Sequence, residues 1–168
     1  MAPIKTADDA DGKRRWRRLQ PQIAQMNNID VICGAESPSA ISAVTQMAQM
    51  ERGDLDKITK RVIGIAMKIH NALGPGFVEK IYEKAMAYEF KLNKMEFAEQ
   101  AEIDVKYGTI DLGYQRVDFL VENEVIVELK SVGELNSIHS AQMLSYLKTA
   151  NKKVGLILNF AESKLGIK

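Results

Sequence analysis

The stretch Arg116-Val117-Asp118 and the stretch Glu128-Leu129-Lys130, separated by the polar turn Glu122-Asn123-Glu124, narrow the possible folds more than any other part of the chain. Apolar residues alternate on both sides of the turn, which predicts an antiparallel hairpin with strands at about 114–121 and 125–130. If the hairpin is centred on Asn123, Asp118 stands directly opposite Glu128. Opposed side chains on neighbouring strands have Cβ atoms about 4.5–5.5 Å apart. Lys130, two residues beyond Glu128, shares its face. Val117, Phe119, Val121, Val125, Val127 and Leu129 then fall on the other face. A two-residue turn at Glu122-Asn123 would instead set Asp118 against Val127, because a one-residue slip exchanges faces.

Two carboxylates at that separation repel each other unless positive charge lies between them. A divalent cation supplies it, and Mg²⁺ commonly takes one or two carboxylates while keeping several waters. Such a metal polarises a phosphoryl oxygen and lowers the pKa of bound water. A lysine beside it places compact positive charge where negative charge builds in the transition state. The acid, acid and lysine therefore have the layout of a metal-dependent phosphodiesterase site. The plainer reading is a surface hairpin with one Glu/Lys pair and a stray Asp, and such exposed pairs contribute little.

The chain divides near residue 53. Residues 1–53 read as a poorly ordered basic extension. They carry Lys13-Arg14-Arg15-Trp16-Arg17-Arg18, five basic residues in six. Such a run either grips phosphates, with Trp16 stacking on a base, or is a solvated tail. A short helix is expected at 39–50, with Ile41, Val44, Met47 and Ala48 on one face. Translation beginning at Met47 or Met50 is the alternative.

Residues 54–168 read as one patterned domain. Ile58, Val62, Ile65, Ala66, Ile69 and Leu73 follow helical spacing, capped by Asp54 or Asp56 and ended by Gly74-Pro75-Gly76. A second helix is expected to bury Phe77, Ile81, Ala85, Tyr88 and Leu92, with Glu79, Tyr82, Glu83 and Met86 on the neighbouring stripe. Ile103, Val105 and Tyr107 alternate with charged residues as in a half-buried strand, and 108–113 reads as a turn. After the hairpin, Asn136 or Ser137 caps a helix to about residue 150. Val154-Gly155-Leu156-Ile157-Leu158 reads as a buried strand. The order is α, α, β, β, β, α, β.

Composition sets limits. With 23 Lys plus Arg against 22 Asp plus Glu, nucleic-acid contact has to be local. The single cysteine, Cys33, permits no intrachain disulfide, and no Cys/His cluster suggests zinc. No apolar run is long enough to span a membrane, so no membrane partner and a cytoplasmic location are expected. The oligomeric state is left open.

Gly76-Phe77-Val78-Glu79-Lys80-Ile81-Tyr82 fits a G-x-x-E-x-x-Y signature. Together with Ile69-His70, Gln142-Met143-Leu144-Ser145-Tyr146-Leu147 and Gly155-Leu156-Ile157-Leu158-Asn159-Phe160, it resembles the small bacterial GxxExxY proteins over about residues 54–165. Those proteins are placed in the PD-(D/E)xK nuclease superfamily, with an α-β-β-β-α-β core of central mixed sheet and flanking helices. The Gln-x-x-x-Tyr pattern resembles the RecB-type and lambda-exonuclease-type branches. The resemblance implies that Asp118 and Glu128 ligate Mg²⁺ or Mn²⁺, with the carbonyl of Leu129 completing the set. It implies that Lys130 orients the attacking water, and that Glu79 is a further metal or water ligand. Gln142 and Tyr146 would hold substrate phosphate or steady Lys130. His70 matches loosely a metal-binding histidine of RecB-type enzymes. Val117 stands where many members have proline.

Other residues have plain alternatives. Glu79 also suits a first helical turn, where an acid complements the helix dipole, and Glu83 is able to replace it. Tyr82 reads as a packing residue with a tethered hydroxyl. His139, Gln142 and Tyr146 lie on one helical stripe. The expected activity is Mg²⁺-dependent hydrolysis of nucleic-acid phosphodiesters, DNA ahead of RNA. The alternatives are a catalytically silent module of this fold that binds nucleic acid or a protein partner, and a hydrolase of another phosphate ester.

Overall fold

The computed structural model describes residues 38–168. The basic run at 13–18 and Cys33 lie outside the described residues. Helix α1 spans Pro38–Leu73 without interruption. The short helix expected at 39–50 and the helix expected from residue 54 are therefore one, and neither Asp54 nor Asp56 is a cap. Gly53 inside a helix costs about 1 kcal/mol relative to alanine. The buried stripe Val62, Ile65, Ala66 and Ile69 farther along outweighs that local cost. From Met47 onward the chain forms one compact unit, to which the rest of this description refers.

Gly74 and Gly76 both adopt positive φ, +69° and +107°, which a residue with a Cβ rarely does. They turn the chain into α2 (Glu79–Leu92). Five strands follow, with α3 (Ser137–Ala150) between the third and fourth. They are β1 (Phe97–Tyr107), β2 (Ile110–Val121), β3 (Val125–Lys130), β4 (Val154–Asn159) and β5 (Gly166–Ile167). Their order in the sheet is the order in the chain. The β3–β4 pair is parallel and the others are antiparallel. This is the expected mixed α/β architecture, a central mixed sheet flanked by helices, with a short fifth strand added.

The hairpin combines both anticipated turns. Glu122 and Asn123 adopt left-handed φ of 51° and 53°, and the Glu124 N–H donates to Val121 O at 2.9 Å. A two-residue turn is thus present. Yet the ladder pairs Val121 with Val125, so Glu124 is one extra residue, a bulge that restores the register centred on Asn123. Paired residues continue through Leu120–Ile126 to Phe119–Val127, where the ladder ends one step short of Asp118 and Glu128.

Two apolar clusters cover the two faces of the sheet. One joins Val62, Ala66, Tyr82, Met86 and Phe90 of the first two helices to Phe119, Val121, Val125, Val127 and Leu129. The other joins Met143 and Tyr146 of α3 to Ile103, Val117, Ile126 and Ile157. Val117 was expected to share a face with Phe119, but it packs on the opposite one. β1 changes face at the same level. Phe97 packs with the first cluster, and Ala101 and Ile103 with the second. The β1–β2 ribbon therefore rotates at Gln100 and Asp118. Gln100 has a φ of 48° in mid-strand, which explains the change on its side.

Three other expectations are corrected. β1 begins at Phe97 and only residues 108–109 turn, so the ribbon is longer than the sequence suggests. In it Ile103 is buried while Tyr107 is 76% exposed. On α2 the buried stripe is Tyr82, Met86 and Phe90, whereas Phe77, Ile81, Tyr88 and Leu92 are exposed. Gly155 on β4 faces α3, where an added Cβ would stand 2.2 Å from Met143 Sδ. Glycine there lets the helix close on the sheet.

Candidate active site

The site lies where β2 and β3 part. Their ladder holds only three residue pairs. Beyond it the Leu129 N–H takes the Asp118 side chain as acceptor, Oδ2 at 2.8 Å. A carboxylate thus fills the fork that backbone pairing leaves open. Asp118 Oδ1 accepts from Gln100 Nε2 at 3.1 Å, and the same nitrogen donates to Glu83 Oε1 at 3.1 Å. Glu83, buried on α2, is also held by Lys80 at 2.8 Å.

Glu128 and Lys130 follow on β3, on the face that α3 covers. Lys130 Nζ donates to Glu128 Oε1 at 2.7 Å. Glu128 is 6% exposed, and its Oε2 is buried with no hydrogen-bond partner. Native structures rarely leave such an atom unpaired without a reason. Burial pushes the Glu128 carboxyl above the usual carboxylate range. The Asp118 charge adds to this, and Lys130 and the Asp118 backbone N–H pull in the other direction. Asp118 is raised as well, by burial first, against the Leu129 N–H, Lys130 and Gln100. Burial opposes the charge on Lys130, but the hydrogen bond and charge of Glu128, with Glu79 and Asp118, hold its ammonium above the usual lysine range.

Glu79 stands apart from the acid pair. Its Oε1 accepts from the Ser131 N–H at 3.0 Å, and Ser131 Oγ donates to Phe77 O at 2.8 Å. These bonds tie the start of α2 to the residue after Lys130. The Tyr82 hydroxyl donates to Gly74 O at 2.7 Å and accepts from the Phe77 N–H at 3.3 Å. It latches the glycine turn that aims Glu79 at the sheet. Asn159, fully buried, accepts from the Val132 N–H and donates to Val132 O, fixing the chain that leaves β3.

On α3, Gln142 Nε2 donates to the Tyr146 hydroxyl at 2.7 Å. Tyr146 is buried, and burial raises its pKa. The charges of Glu128 and Asp118 raise it further, which places this hydroxyl within their field. His139 lies on the same stripe, but its Nδ1 accepts from the Asn136 N–H to complete a capping box, so its role is structural. His70 is buried in the last turn of α1, its Nε2 2.9 Å from Glu162 O. Among the described residues no three His, Cys, Asp or Glu side chains are grouped to hold a metal.

The sequence profile of the PD-(D/E)XK nuclease superfamily matches residues 56–168. The chain belongs to that superfamily. The match covers α1 from residue 56 onward, α2, all five strands and α3. No curated protein and no solved structure matches the chain. Membership makes nucleic acid the substrate class, and nucleases of this superfamily typically use divalent metal ions. No helix among the described residues is long and apolar enough to cross a membrane.

Whether these residues suit a metal is answered by their chemistry. Hard cations take carboxylate and carbonyl oxygens, and Mg²⁺ is commonly held by one or two carboxylates with waters filling the rest. Asp118 and Glu128 meet that need without a third acid, and Glu128 Oε2 has a free lone pair in a buried position. The residues fit. Sequence reasoning missed Gln100 altogether. No pattern announces it, since its distinction lies in its backbone angle.

Proposed function

We propose that this chain is a divalent-metal-dependent nuclease that hydrolyses phosphodiester bonds, in DNA ahead of RNA, with Mg²⁺ or Mn²⁺ held by Asp118, Glu128 and the Leu129 carbonyl. The carrying observation is the buried, unpartnered Glu128 Oε2 beside Asp118, with Lys130 two residues on. Charge supports it. Glu79, Glu83, Asp118 and Glu128 bring four carboxylates, and Lys80 and Lys130 bring two ammonium groups. The imbalance of two negative charges is what one divalent cation neutralises. The Leu129 N–H points into the fork, and in a strand the carbonyl of a residue points to the same side as its N–H. The Gly76–Tyr82 signature and the hydrogen-bonded Gln142–Tyr146 pair support a place among GxxExxY proteins of the RecB or lambda-exonuclease kind.

When bound, the metal supplies Lewis acidity and lowers the pKa of a coordinated water. The chain's residues do the rest. Lys130 leaves Glu128 to hold the attacking water and to offset charge growing on the phosphoryl oxygens. Glu79, fixed on Ser131 N, is the outer acid that keeps the Lys130 ammonium facing the fork. The Tyr146 hydroxyl, which accepts from Gln142, keeps its own proton to donate to a substrate phosphate oxygen.

The test is cleavage of labelled DNA and RNA with Mg²⁺, by the wild-type chain and by Asp118→Ala. Metal-dependent DNA cleavage that Asp118→Ala abolishes, in a protein that still folds, is the expected result. Equal cleavage by Asp118→Ala would sink the assignment. Metal binding without cleavage of either nucleic acid would favour a catalytically silent module.

A further inference from the structure

Gln100 is the least comfortable residue of the sheet. Its φ of 48° falls in the left-handed region, which a non-glycine residue seldom occupies within a strand. It lies between the pairs Glu99–Phe119 and Ala101–Val117, on the rung of Asp118 where the ribbon changes face. No turn or loop requires the unusual angle there. Such outliers persist when the surroundings gain something from them.

The gain is visible in the side chain. An amide nitrogen carries two protons, and Gln100 Nε2 serves two carboxylates, Asp118 Oδ1 and Glu83 Oε1, each at 3.1 Å. Asp118 is thereby held at both oxygens, Oδ1 by Gln100 and Oδ2 by the Leu129 N–H. Two donors on two oxygens fix the carboxylate plane. The same amide keeps Glu83 and Asp118, two like charges, from facing each other unscreened. A relay runs from Lys80 through Glu83 and Gln100 to Asp118.

We propose that Gln100 is a positioning residue. Its left-handed backbone turns the amide into the fork, and the amide sets the orientation of Asp118 for the cation. This rests on the metal site proposed above. Partners that orient a ligand commonly change metal affinity by roughly 10–100-fold when replaced.

Two substitutions separate positioning from packing. Gln100→Asn keeps an amide and tolerates the left-handed region better than glutamine does, but it is one methylene too short to span both carboxylates. Gln100→Gly removes the amide and frees the backbone. The experiment is calorimetric titration of the full chain with Mn²⁺, with melting curves in chelator run in parallel. Both variants are expected to melt at or above the wild-type temperature while binding Mn²⁺ roughly 10–100-fold more weakly. Gln100→Glu, which brings a third carboxylate against two others, is expected to melt lower without metal. Unchanged Mn²⁺ affinity in Gln100→Asn and Gln100→Gly, beside wild-type binding that Asp118→Ala abolishes, overturns the positioning role and leaves the metal site standing. Wild-type binding that is absent, or that survives Asp118→Ala, overturns both.

Discussion

Replacing Glu128 with glutamine is expected to stabilise the metal-free protein. Glu128 Oε1 holds Lys130, while Oε2 is buried with no donor. Glutamine keeps an oxygen for Lys130 and puts an NH₂ where Oε2 was, with the Asp118 carboxylate close enough to raise Glu128's own pKa. A buried acceptor without a donor costs about 1–3 kcal/mol. Removing that cost, less the weaker bond to Lys130, leaves a gain of about 1 kcal/mol, or about 2–4 °C in Tm for a chain of this size. The pH dependence follows from the same imbalance. The folded carboxyl holds its proton more tightly than the unfolded chain does, because burial disfavours its charge. The protonated form's advantage is therefore fully present below the ordinary carboxylate range. It is lost as pH rises through the raised folded-state pKa. The gap between Glu128→Gln and wild type should open between acid and neutral pH and close in acid. Saturating Mg²⁺ should reverse the order, because a ligand at a hundred times its Kd adds about 2.7 kcal/mol to the form that binds it. Melting curves of both proteins across pH, in chelator and in Mg²⁺, make the assay. A variant that melts below wild type at neutral pH in chelator would show that the Lys130 pair outweighs the buried charge, and the reasoning would be refuted.

Lys130→Met should cut DNA cleavage by roughly 10²–10³, the usual cost of losing one preorganised positive or hydrogen-bonding group, while Mn²⁺ still binds by calorimetry. Tyr82→Phe removes the latch on the glycine turn and should cost about 1–2 kcal/mol in denaturant unfolding, with a further fall in cleavage because Glu79 loses its support. Asn159→Ala strips both hydrogen bonds from Val132 and should cost about 2–4 kcal/mol, read from the same unfolding curves. Gly155→Ala should cost about 1–3 kcal/mol through overpacking against Met143. Adding Met143→Ala should recover part of that loss, which a double-mutant cycle would measure.

The hairpin was legible because its information is local. Apolar residues alternate on both sides of the turn, and the register centred on Asn123 puts Phe119, Val121, Val125, Val127 and Leu129 on one buried face. The helix α2 was not legible, and its charges explain why. Tyr82, Met86 and Phe90 share their side with Glu83 and Glu89, which are buried yet paired with Lys80 and Lys68. Read as a pattern, that side looks polar, and the exposed Ile81, Tyr88 and Leu92 look like the core. The Lys68–Glu89 pair joins α2 to α1 and lets Glu89 be buried, and sequence periodicity within one helix does not contain it. The unbroken α1 is a similar case. The chain was expected to divide near residue 53, but packing some ten residues farther on carries the helix through Gly53. Gln100 left no trace because a backbone angle, unlike a side-chain pattern, has no period.

The fork between β2 and β3 also gives the site its own gauge. The Leu129 N–H is closed by a side chain and not by a sheet partner. Its exchange with solvent deuterium is therefore governed by how long the Asp118 carboxylate stays in place. Amides of Val127 and Phe119, inside the ladder, report opening of the strands. Slow exchange at Leu129 relative to those two would mean a fork clasped independently of the zipper behind it. A single backbone proton thus meters how firmly the acid at the heart of the site is held.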